Sequence, residues 1–271
     1  MDMSGKTVLI TGSTDGVGRR VAERLAATGA MVLVHGRDKA RAEGLVAGIR
    51  ADGGKATSYL ADFSSLDEVR ALADTIERDH HRLDLLINNA GIGTGGDARR
   101  QASRDGYELR FAVNYLAGFL LTHRLLPRLK ASSPARIVNV SSAGQQAIDF
   151  SDVMLTRGYS GTRAYCQSKL AQIMFTFDLA GELEGSGVTV NCLHPASYMD
   201  TTMVRQAGVV PLSSVEQGAD AILNLATGSA SEGRTGTYYD GLQPSRAAPQ
   251  AYDATARQHL RTLSRSLTGL A

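Results

Sequence analysis

The sequence predicts an α/β fold in which one doubly wound parallel sheet lies between two layers of helices. Six short runs rich in apolar and β-branched residues alternate with longer segments of helical periodicity. The predicted strands are Thr7 to Ile10, Met31 to His35, Lys55 to Leu60, Leu83 to Ile87, Arg136 to Val140 and Val188 to Leu193. Strand, helix, strand repeated in this order is typical of a parallel sheet with helices on both faces.

The segments between the strands carry apolar residues every three or four positions, as helices that cover a sheet do. These positions are Val17, Val21 and Leu25, then Leu66, Val69, Leu72 and Ile76, and later Leu116, Leu120, Leu121 and Leu125. The strands themselves contain unbroken apolar runs such as Leu85 to Ile87. Such runs indicate burial on both faces, and ligands of such sheets bind at the carboxyl ends of the strands.

The chain of 271 residues is long enough for a sizeable core, and no long linker or repeat divides it. We therefore expect a single domain over 1–271. The segment of about 199–215 has weak periodicity and is expected to be a mobile apolar flap over the substrate. The tail of about 243–271 contains one short helical pattern, formed by Leu260, Leu263 and Leu267, to which the sequence assigns no role.

Composition excludes several classes of function. Lys and Arg number 29 against 27 Asp and Glu, and the net charge of +2 gives no electrostatic footprint for nucleic acid. The two cysteines, Cys166 and Cys192, favour a reduced compartment and have no metal-ligand spacing. No apolar run reaches the length of a signal peptide or a membrane span. We expect a cytoplasmic protein without a metal, a nucleic-acid partner or a membrane partner.

A glycine-rich loop follows the first predicted strand and precedes the first predicted helix. Glycines allow a sharp turn and a close approach to a pyrophosphate, and the N–H groups at the start of a helix bind the anion. The alternative is a plain turn between strand and helix. The loop residues that would contact a dinucleotide are Gly12, Ser13, Thr14, Asp15, Gly16, Val17 and Gly18.

With Thr11 ahead of it, the Gly-x-x-x-Gly-x-Gly spacing resembles that of the short-chain dehydrogenase/reductase family. The run Asn88-Asn89-Ala90-Gly91 after the fourth strand is similar to the second fingerprint of that family, although such residues also form ordinary turns. Asp62-Phe63 after the third strand resembles its adenine-contacting pair. The resemblance covers roughly 5–242. It implies a Rossmann-like fold, a nicotinamide dinucleotide cofactor contacted by Asp62, Phe63, Asn89, Ala90 and Gly91, and a homo-oligomer, either a dimer or a tetramer.

Tyr165 and Lys169 are four residues apart on a helix predicted for Thr162 to Leu183, and therefore share one face. Such a pair also arises by chance, but Ser142 ends the fifth strand, where the family keeps a third catalytic group. Hydride addition to a carbonyl creates an alkoxide that needs a proton donor. Tyr165 matches the acid/base, Lys169 is expected to lower its pKa and hold the nicotinamide ribose, and Ser142 to bind the substrate oxygen. Asn114 matches the family residue that supports a water relay.

Three rival assignments are weaker. Tyr159 has Arg163 four residues later, which cannot act as a titrating partner. Ser141 is the neighbour of Ser142, and the family register favours Ser142. A serine nucleophile with His194 as base is disfavoured because no Gly-x-Ser-x-Gly surrounds either serine, and His194 is expected to be a structural residue that ends the sixth strand.

Two departures from the family pattern concern the substrate half of the site. Ser142 and Tyr165 are 23 positions apart, and the long run from Asp149 to Gly161 is expected to overhang the substrate, as in the retinol-dehydrogenase-like branch that the sequence resembles. After the sixth strand the family has Pro-Gly and a nearby Thr, whereas this chain has Pro195-Ala196 and Asp200-Thr201. The cofactor contacts expected there are Pro195, Tyr198 and Thr201.

The end of the second strand indicates NADP(H) rather than NAD(H). NAD-binding folds place an acidic residue there to bind the ribose 2′-OH, and the family register gives Gly36 at that position. Arg37 follows, and its guanidinium suits the 2′-phosphate, although it could be a surface residue. Asp15 in the glycine loop counts against this preference. Asp38 does so too, because it is expected to pair with Arg37.

The sequence therefore predicts an NADP-dependent oxidoreductase that acts on a carbonyl or alcohol. A dinucleotide-sensing binding protein and a dehydratase or epimerase that retains its cofactor are the alternatives. The predicted pocket loops, Gly93 to Asp97, Asp149 to Gly161 and Met199 to Pro211, suggest a medium-sized, partly hydrophobic substrate.

Overall fold

Strands and helices alternate through most of the chain in the computed structural model, which describes residues 2–95 and 99–270. The strands are β1 (Thr7–Ile10), β2 (Met31–Gly36), β3 (Lys55–Leu60), β4 (Leu85–Asn88), β5 (Ala135–Val140), β6 (Val188–His194), β7 (Tyr238–Asp240) and β8 (Gln243–Ser245). The helices are α1 (Gly16–Ala27), α2 (Lys39–Ala51), α3 (Leu66–Asp79), α4 (Leu109–Phe111), α5 (Ala117–Ala131), α6 (Gly161–Glu182), α7 (Thr202–Gln206), α8 (Val215–Thr227) and α9 (Ala254–Thr268). A π-helical turn, Ala112–Leu116, joins α4 to α5.

These strands form one sheet in the order β3-β2-β1-β4-β5-β6-β7-β8. β1 to β7 run parallel, and only β8 is antiparallel to its neighbour. The predicted doubly wound fold is thus confirmed. The strand order reverses between β1 and β4, and the crevice beyond the carboxyl ends at such a reversal is where these sheets bind ligands. The glycine-rich loop and the Asn88-Asn89-Ala90-Gly91 run leave the sheet at this point.

Each face of the sheet carries its own apolar core. Val8 and Ile10 of β1 pack with α1, α2 and α8, whereas Leu9 between them packs with the opposite layer of α3, α5, α6 and α9. Alternate side chains of a strand point to opposite faces. The unbroken apolar runs in the sequence are therefore buried on both sides, as predicted.

The predicted boundaries differ from the observed ones by one or two residues. β2, β4 and β6 each continue by one residue because their last backbone groups still pair with neighbours, as Gly36 does with Leu60 of β3. β4 starts later than predicted, at Leu85. The predicted helix over Thr162 to Leu183 spans Gly161–Glu182, because the Ser160 side chain caps its start by accepting from the N–H of Arg163.

β7 and β8 were not predicted from the sequence. Each strand has three residues, which is too short for an alternating pattern to be recognised. Gly241, with a φ of 55°, forms the turn between them. Together they extend the sheet beyond β6 and bring the following segment back toward the carboxyl end of β5, where Tyr238 donates a hydrogen bond to the Ser142 carbonyl.

The segment predicted as a flap contains the short helix α7 and exposes large apolar side chains, among them Val210 and Leu212. The backbone N–H of Leu212 donates to the carbonyl of Tyr198, which closes the segment into a loop.

The tail, in contrast, is part of the core. The Tyr115 and Ser264 hydroxyls are 2.7 Å apart in the buried layer between the π-helical turn and α9. Arg261 of α9 pairs with Asp178 of α6 at 2.8 Å.

None of the helices in residues 2–95 and 99–270 combines the length and the apolar character that crossing a bilayer requires.

The packing of α9 predicts that the tail contributes to global stability. Leu260→Ala should lower the free energy of unfolding by about 2–5 kcal/mol, because the side chain is only 1% exposed and truncation leaves a cavity. Leu242→Ala is the matched control, since Leu242 is 53% exposed and should change stability by less than about 0.5 kcal/mol. Urea unfolding followed by circular dichroism measures both. If Leu260→Ala lowers the free energy of unfolding no more than the small change in Leu242→Ala, α9 lies outside the cooperative core.

Candidate active site

The glycine-rich loop passes so close to the loop after β4 that side chains are excluded. Gly12 has a φ of 62°, and a Cβ on it would lie 2.7 Å from the Cα of Ala90. A Cβ on Gly18 would overlap Nδ2 of Asn89. Non-glycine residues rarely adopt the φ of Gly12, and no side chain fits at either position. Both glycines are therefore required by packing as well as by any ligand.

Hydrogen bonds join the same two loops. The Thr11 hydroxyl accepts from the backbone N–H groups of Asn89 and Ala90 at 2.9 and 3.0 Å. The Asn89 side chain donates back to the carbonyls of Thr11 and Gly12. Asn89 and Ala90, which were predicted as cofactor contacts, thus hold the glycine-rich loop in place.

His35 supports the glycine-rich loop from below, a role that sequence reasoning missed. The Gly12 N–H donates to its Nδ1 at 3.1 Å, and its Nε2 lies 3.2 Å from the carbonyl oxygen of Ala61. Its ring stacks on Phe63 with centroids 4.3 Å apart. Burial lowers the pKa of His35 to about 4. The ring is therefore neutral at physiological pH, with the proton on Nε2 and an unprotonated Nδ1 that accepts from the Gly12 N–H. A histidine at the end of a strand beside a glycine loop was the available signal.

The remaining loop residues are placed as follows. The Ser13 N–H donates to the His35 carbonyl, and Asp15 caps α1 by accepting from the N–H of Gly16. The Val17 side chain is buried in the core under the sheet, so only its backbone faces the crevice. Thr14 packs on Gly36, where an added Cβ would lie 2.5 Å from its Cγ2.

The expected Arg37–Asp38 pair does not form. Asp38 caps α2 by accepting from the N–H of Arg41, and its carboxylate lies 3.7 Å from the Arg41 guanidinium. Arg41 also pairs with Asp15 at 3.5 Å. Capping a helix satisfies N–H groups that would otherwise lack a partner, which explains why Asp38 turns toward α2. Both carboxylates that were expected to weaken phosphate binding are therefore paired with Arg41.

The predicted adenine-contacting pair is split by burial. Phe63 stacks on His35 inside the core, whereas Asp62 is partly exposed. Burial opposes ionisation of Asp62, but hydrogen bonding from Ser64 and the charges of Arg104 and Arg37 lower its pKa overall. Asp62 is therefore the member of the pair whose side chain can reach a ligand.

Three predicted catalytic residues meet at the carboxyl end of β5. The Ser142 side chain lies close enough to the Tyr165 hydroxyl to act on its pKa. The Ser142 hydroxyl oxygen also accepts from the Gly144 N–H at 3.0 Å. Lys169 lies one helical turn beyond Tyr165, with its Nζ 5.8 Å from the centre of the tyrosine ring.

Lys169 is held by groups other than Tyr165. Its Nζ donates to the Val140 carbonyl and to Oε1 of Gln172, both at 2.9 Å. Burial lowers the pKa of Lys169 to about 7. Gln172, three residues later on α6, was not singled out in the sequence because amides at helical spacing are common.

The pKa of Tyr165 differs from the sequence expectation. Burial raises it, and the Ser142 hydrogen bond opposes that rise. Lys169 was expected to lower this pKa, but its ammonium points to Val140 and Gln172. In the free protein, Tyr165 is therefore a protonated phenol at neutral pH.

Asn114 lies in the π-helical turn and links three segments. Its side chain accepts from the Ile92 N–H at 2.8 Å and donates to the Ile92 carbonyl and to the Ser168 hydroxyl. A Cβ on Gly91 would lie 3.3 Å from Oδ1 of Asn114 and 3.6 Å from Nζ of Lys169. Gly91, Asn114 and Lys169 therefore converge on one point, as expected for parts of one site. π-Helical turns are frequent at functional sites.

The structure places the rival residues elsewhere. The Ser141 hydroxyl donates to the Lys169 carbonyl inside the core. His194 ends β6 and its Nε2 lies 3.1 Å from the Ser197 hydroxyl. Tyr159 binds Arg110 at 2.7 Å.

The three cofactor contacts predicted beyond β6 differ in their exposure to solvent. Pro195 is buried. Tyr198 has a φ of 44° and an exposed side chain. Thr201 caps α7, and its methyl group lies 3.3 Å from the position of a Cβ on Gly16. Asp200, which replaces the expected residue, pairs with Arg205 at 2.6 Å and turns away.

These features fit a nicotinamide dinucleotide. The glycine-rich loop leads into the start of α1, and the start of a helix is a site that binds a pyrophosphate. Asp62 follows the end of β3, and Lys169 of α6 binds the carbonyl of Val140 at the end of β5, with Tyr165 one helical turn away. The fold and this donor set define a dinucleotide-dependent oxidoreductase, with a phenol, a hydroxyl and an amine placed for carbonyl chemistry.

Comparison with known proteins identifies the family. The family model for short chain dehydrogenases matches residues 6–209, and the chain belongs to this family of NAD(P)-dependent oxidoreductases. Human "Retinol dehydrogenase 13" is 37% identical, with 98% of this chain and 85% of that protein covered. The predicted likeness to the retinol-dehydrogenase-like branch is thus confirmed.

Two solved structures resemble the whole arrangement. An uncharacterized protein from Mycobacterium paratuberculosis has a TM-score of 0.82 and 31% identity, with 99% of this chain and 95% of that chain covered. A short chain dehydrogenase from Burkholderia cenocepacia J2315 in complex with NADP has a TM-score of 0.72 and 28% identity, with 89% and 97% covered.

The buried His35 predicts a pH-dependent loss of stability. The pKa of His35 is about 4 in the folded protein and 6.5 as its ordinary value, so the unfolded chain binds a proton more readily between these pH values. The free energy of unfolding is therefore highest above pH 6.5, where His35 is neutral in both states. This contribution, on the order of 3 kcal/mol, is lost as the pH falls toward 4, and protonation of Nδ1 also breaks the bond from Gly12. When the free energy of unfolding is measured with urea at several pH values, it should fall more steeply with decreasing pH for the native chain than for His35→Asn, which does not titrate. Parallel slopes would exclude His35 as the source.

Proposed function

We propose that this oxidoreductase uses NADP(H) to interconvert a partly hydrophobic carbonyl compound and its alcohol, with Tyr165 as the acid/base. The observation that carries the proposal is the cluster of Tyr165, Ser142 and Lys169 at the end of β5, next to the glycine-rich loop. The pKa of Tyr165 is raised, the pKa of Lys169 is lowered to about 7, and Ser142 carries a hydroxyl proton. Perturbed pKa values grouped with proton donors are typical of catalytic sites.

A nicotinamide cofactor held by the glycine-rich loop and Lys169 would supply a hydride for the carbonyl carbon. Negative charge then develops on the substrate oxygen, and Tyr165 donates its phenolic proton to it. The raised pKa keeps this proton in place until that charge appears. Ser142 donates to the same oxygen: its own oxygen already accepts from the Gly144 N–H, so its proton can turn from Tyr165 to a bound substrate.

Lys169 has two roles in this proposal. It has three N–H donors, two of which bind Val140 and Gln172, and the third remains for the nicotinamide ribose. Its pKa of about 7 also lets it return a proton to Tyr165 near neutral pH. Asn114 supports this relay by binding Ile92 and Ser168, the latter being the residue before Lys169.

The substrate class follows from the predicted pocket loops. The long segment before α6 contains the buried Leu155 and follows the buried Ile148, and the segment after β6 exposes Met203, Val210 and Leu212. Residues 96 and 97 of the first loop lie outside the described residues. Apolar walls around a polar catalytic cluster favour a medium-sized, partly hydrophobic ketone or aldehyde. The relatives named retinol dehydrogenases support a substrate of this character.

Arg37 is the proposed ligand of the 2′-phosphate. It follows β2 directly, and Arg41 pairs with both Asp15 and Asp38, so neither carboxylate is held at Arg37. The likeness to a short chain dehydrogenase in complex with NADP agrees with this assignment.

Three broader expectations are also proposals. We infer that 1–271 forms a single domain, since β1 to β8 share one sheet and α9 packs on α6. We infer a cytoplasmic location from composition. We infer a homo-oligomer, a dimer or a tetramer, from the family resemblance alone.

The role of Tyr165 predicts a specific kinetic defect. Tyr165→Phe should lower kcat at least about a hundredfold because the proton donor is lost, while the affinity for NADPH changes little. Single-turnover rates and NADPH fluorescence titration measure the two effects. Cys166→Ala, a change in the adjacent half-buried side chain, is the control and should keep most of the activity. A fully active Tyr165→Phe would remove this residue from the mechanism.

A panel of ketones, aldehydes and quinones tests the reaction class. Net oxidation of NADPH with one of them identifies a reductase. Turnover without net change in NADPH identifies the dehydratase or epimerase alternative, and cofactor binding without turnover of any substrate favours the sensor.

The cofactor preference is tested at Arg37 and Gly36. Arg37→Gln should lower kcat/KM with NADPH by about ten- to a hundredfold and leave NADH nearly unaffected, because one charge-assisted contact to the phosphate is lost. To reverse the preference, Thr14→Ala must accompany Gly36→Asp, since a Cβ at position 36 would strike Thr14. Thr14→Ala alone is the matched control. A native enzyme that uses NADH as efficiently as NADPH would refute the proposal.

The oligomer proposal has a direct measurement. Light scattering coupled to size exclusion should give a mass of two or four times 28.7 kDa. A monomer across micromolar concentrations would exclude it.

A further inference from the structure

A buried ion pair beside the catalytic cluster has no role in the chemistry above. Arg110 and Glu108 are 3.5 Å apart, and their side chains are 6% and 1% exposed. Removing two charges from water is costly, and a buried pair adds little net stability compared with apolar residues. Such a pair points to a geometric role, which the partners of Arg110 identify.

The Arg110 guanidinium binds two segments that are distant in sequence. Nε donates to the Gly93 carbonyl at 2.9 Å and Nη2 to the Thr94 carbonyl at 2.7 Å, both in the loop after β4. Nη1 donates to the Tyr159 hydroxyl at 2.7 Å, in the long segment before α6. One planar cation thus joins the two loops that were predicted to line the substrate pocket.

The same junction is tightly closed by other contacts. The Tyr159 hydroxyl lies 3.4 Å from Oε1 of Glu108 as donor, while Oε2 of Glu108 accepts from the Phe111 N–H at 2.7 Å. A Cβ on Gly161 would overlap the Thr94 carbonyl oxygen. The two loops therefore touch, and the ion pair fixes their separation.

This junction continues into the catalytic residues and the segment after β6. Asn114, four residues after Arg110, binds Ile92, so one helical face holds the whole stretch 92–94. A Cβ on Gly93 would lie 3.0 Å from Cγ of Met203. All three pocket segments thus meet where Arg110 binds.

We propose that Arg110 is a positioning residue that sets substrate specificity by latching the loop after β4 to the segment before α6. The inference rests on the proposed function, because it assumes that these loops form the walls of the substrate pocket. Arg110 donates only to protein atoms and does not touch the substrate in this proposal. Tyr159 and Glu108 complete the latch.

Tyr159→Phe is the mildest test, since it removes one hydroxyl. It should raise KM for the best carbonyl substrate about three- to tenfold, the scale of one lost hydrogen bond, with KM for NADPH within about twofold. The preference for that substrate over a bulkier homologue should fall by a similar factor. Arg163→Gln is the matched control, because Arg163 anchors the same segment through Asp149 without contacting the loop after β4; it should leave the preference unchanged.

Two variants test Arg110 directly. Glu108→Gln with Arg110→Gln removes both charges together, so no uncompensated charge is buried, and the amide oxygen introduced at position 108 can still accept from the Phe111 N–H. This double variant should show a larger loss of preference than Tyr159→Phe. Arg110→Lys should retain only part of the native substrate preference, because an ammonium cannot reproduce the planar guanidinium that binds three acceptors.

Hydrogen–deuterium exchange provides a readout that requires no substrate. Tyr159→Phe should speed exchange in both 92–95 and 149–160, whereas Arg163→Gln should speed it in 149–160 alone. The proposal is refuted if exchange in 92–95 is unchanged in Tyr159→Phe. It is also refuted if the Tyr159 and Arg110 variants fold and keep the native substrate preference. If the native enzyme reduces no carbonyl compound, the proposed function and the specificity role fail together, while exchange separately decides whether Arg110 joins the loops.

Discussion

The close backbone contact between the glycine-rich loop and Ala90 is the constraint on which the cofactor half of this structure depends. It occurs where the strand order reverses between β1 and β4, so the two loops must share one narrow crevice. Gly12 and Gly18 allow the approach, and Thr11 and Asn89 satisfy the polar groups that it buries. A loop held in this way needs no further ordering when an anion binds, which lowers the entropic cost of cofactor binding.

Burial acts on two basic side chains with different consequences. It lowers the pKa of His35 to about 4 and that of Lys169 to about 7, in both cases by removing water from the charged form. His35 is thereby kept neutral and can accept from Gly12, so it is a structural part of the glycine-rich loop. Lys169 lies near the midpoint of its titration at neutral pH, where a group can both give and take a proton. The difference follows from the ordinary pKa values of the two groups, 6.5 for the imidazole and 10.5 for the ammonium, since burial lowers both.

The sequence predicts the features that depend on local pattern. Apolar patterns located β1 to β6 and the helices α1, α3 and α5, and the spacing of Tyr165 and Lys169 indicated the catalytic helix. It could not predict β7 and β8, which are too short for a pattern, or the pairing of Asp38 with Arg41, which depends on the geometry of a helix start. The burial of Phe63 and the raised pKa of Tyr165 were also missed, because both depend on which distant residues exclude water.

The two halves of the site are therefore built by different physical means. Glycines fix the cofactor half through steric contact, which tolerates almost no substitution and suits a ligand that does not vary. The proposed substrate half is joined by side-chain hydrogen bonds from Arg110 and Asn114, which lie outside the sheet. Since a buried ion pair adds little stability, its presence there is explained by the geometry that it imposes on the loops. The proposed specificity role thus rests on polar residues of α4, which lie outside the glycine-rich loop that forms the dinucleotide crevice.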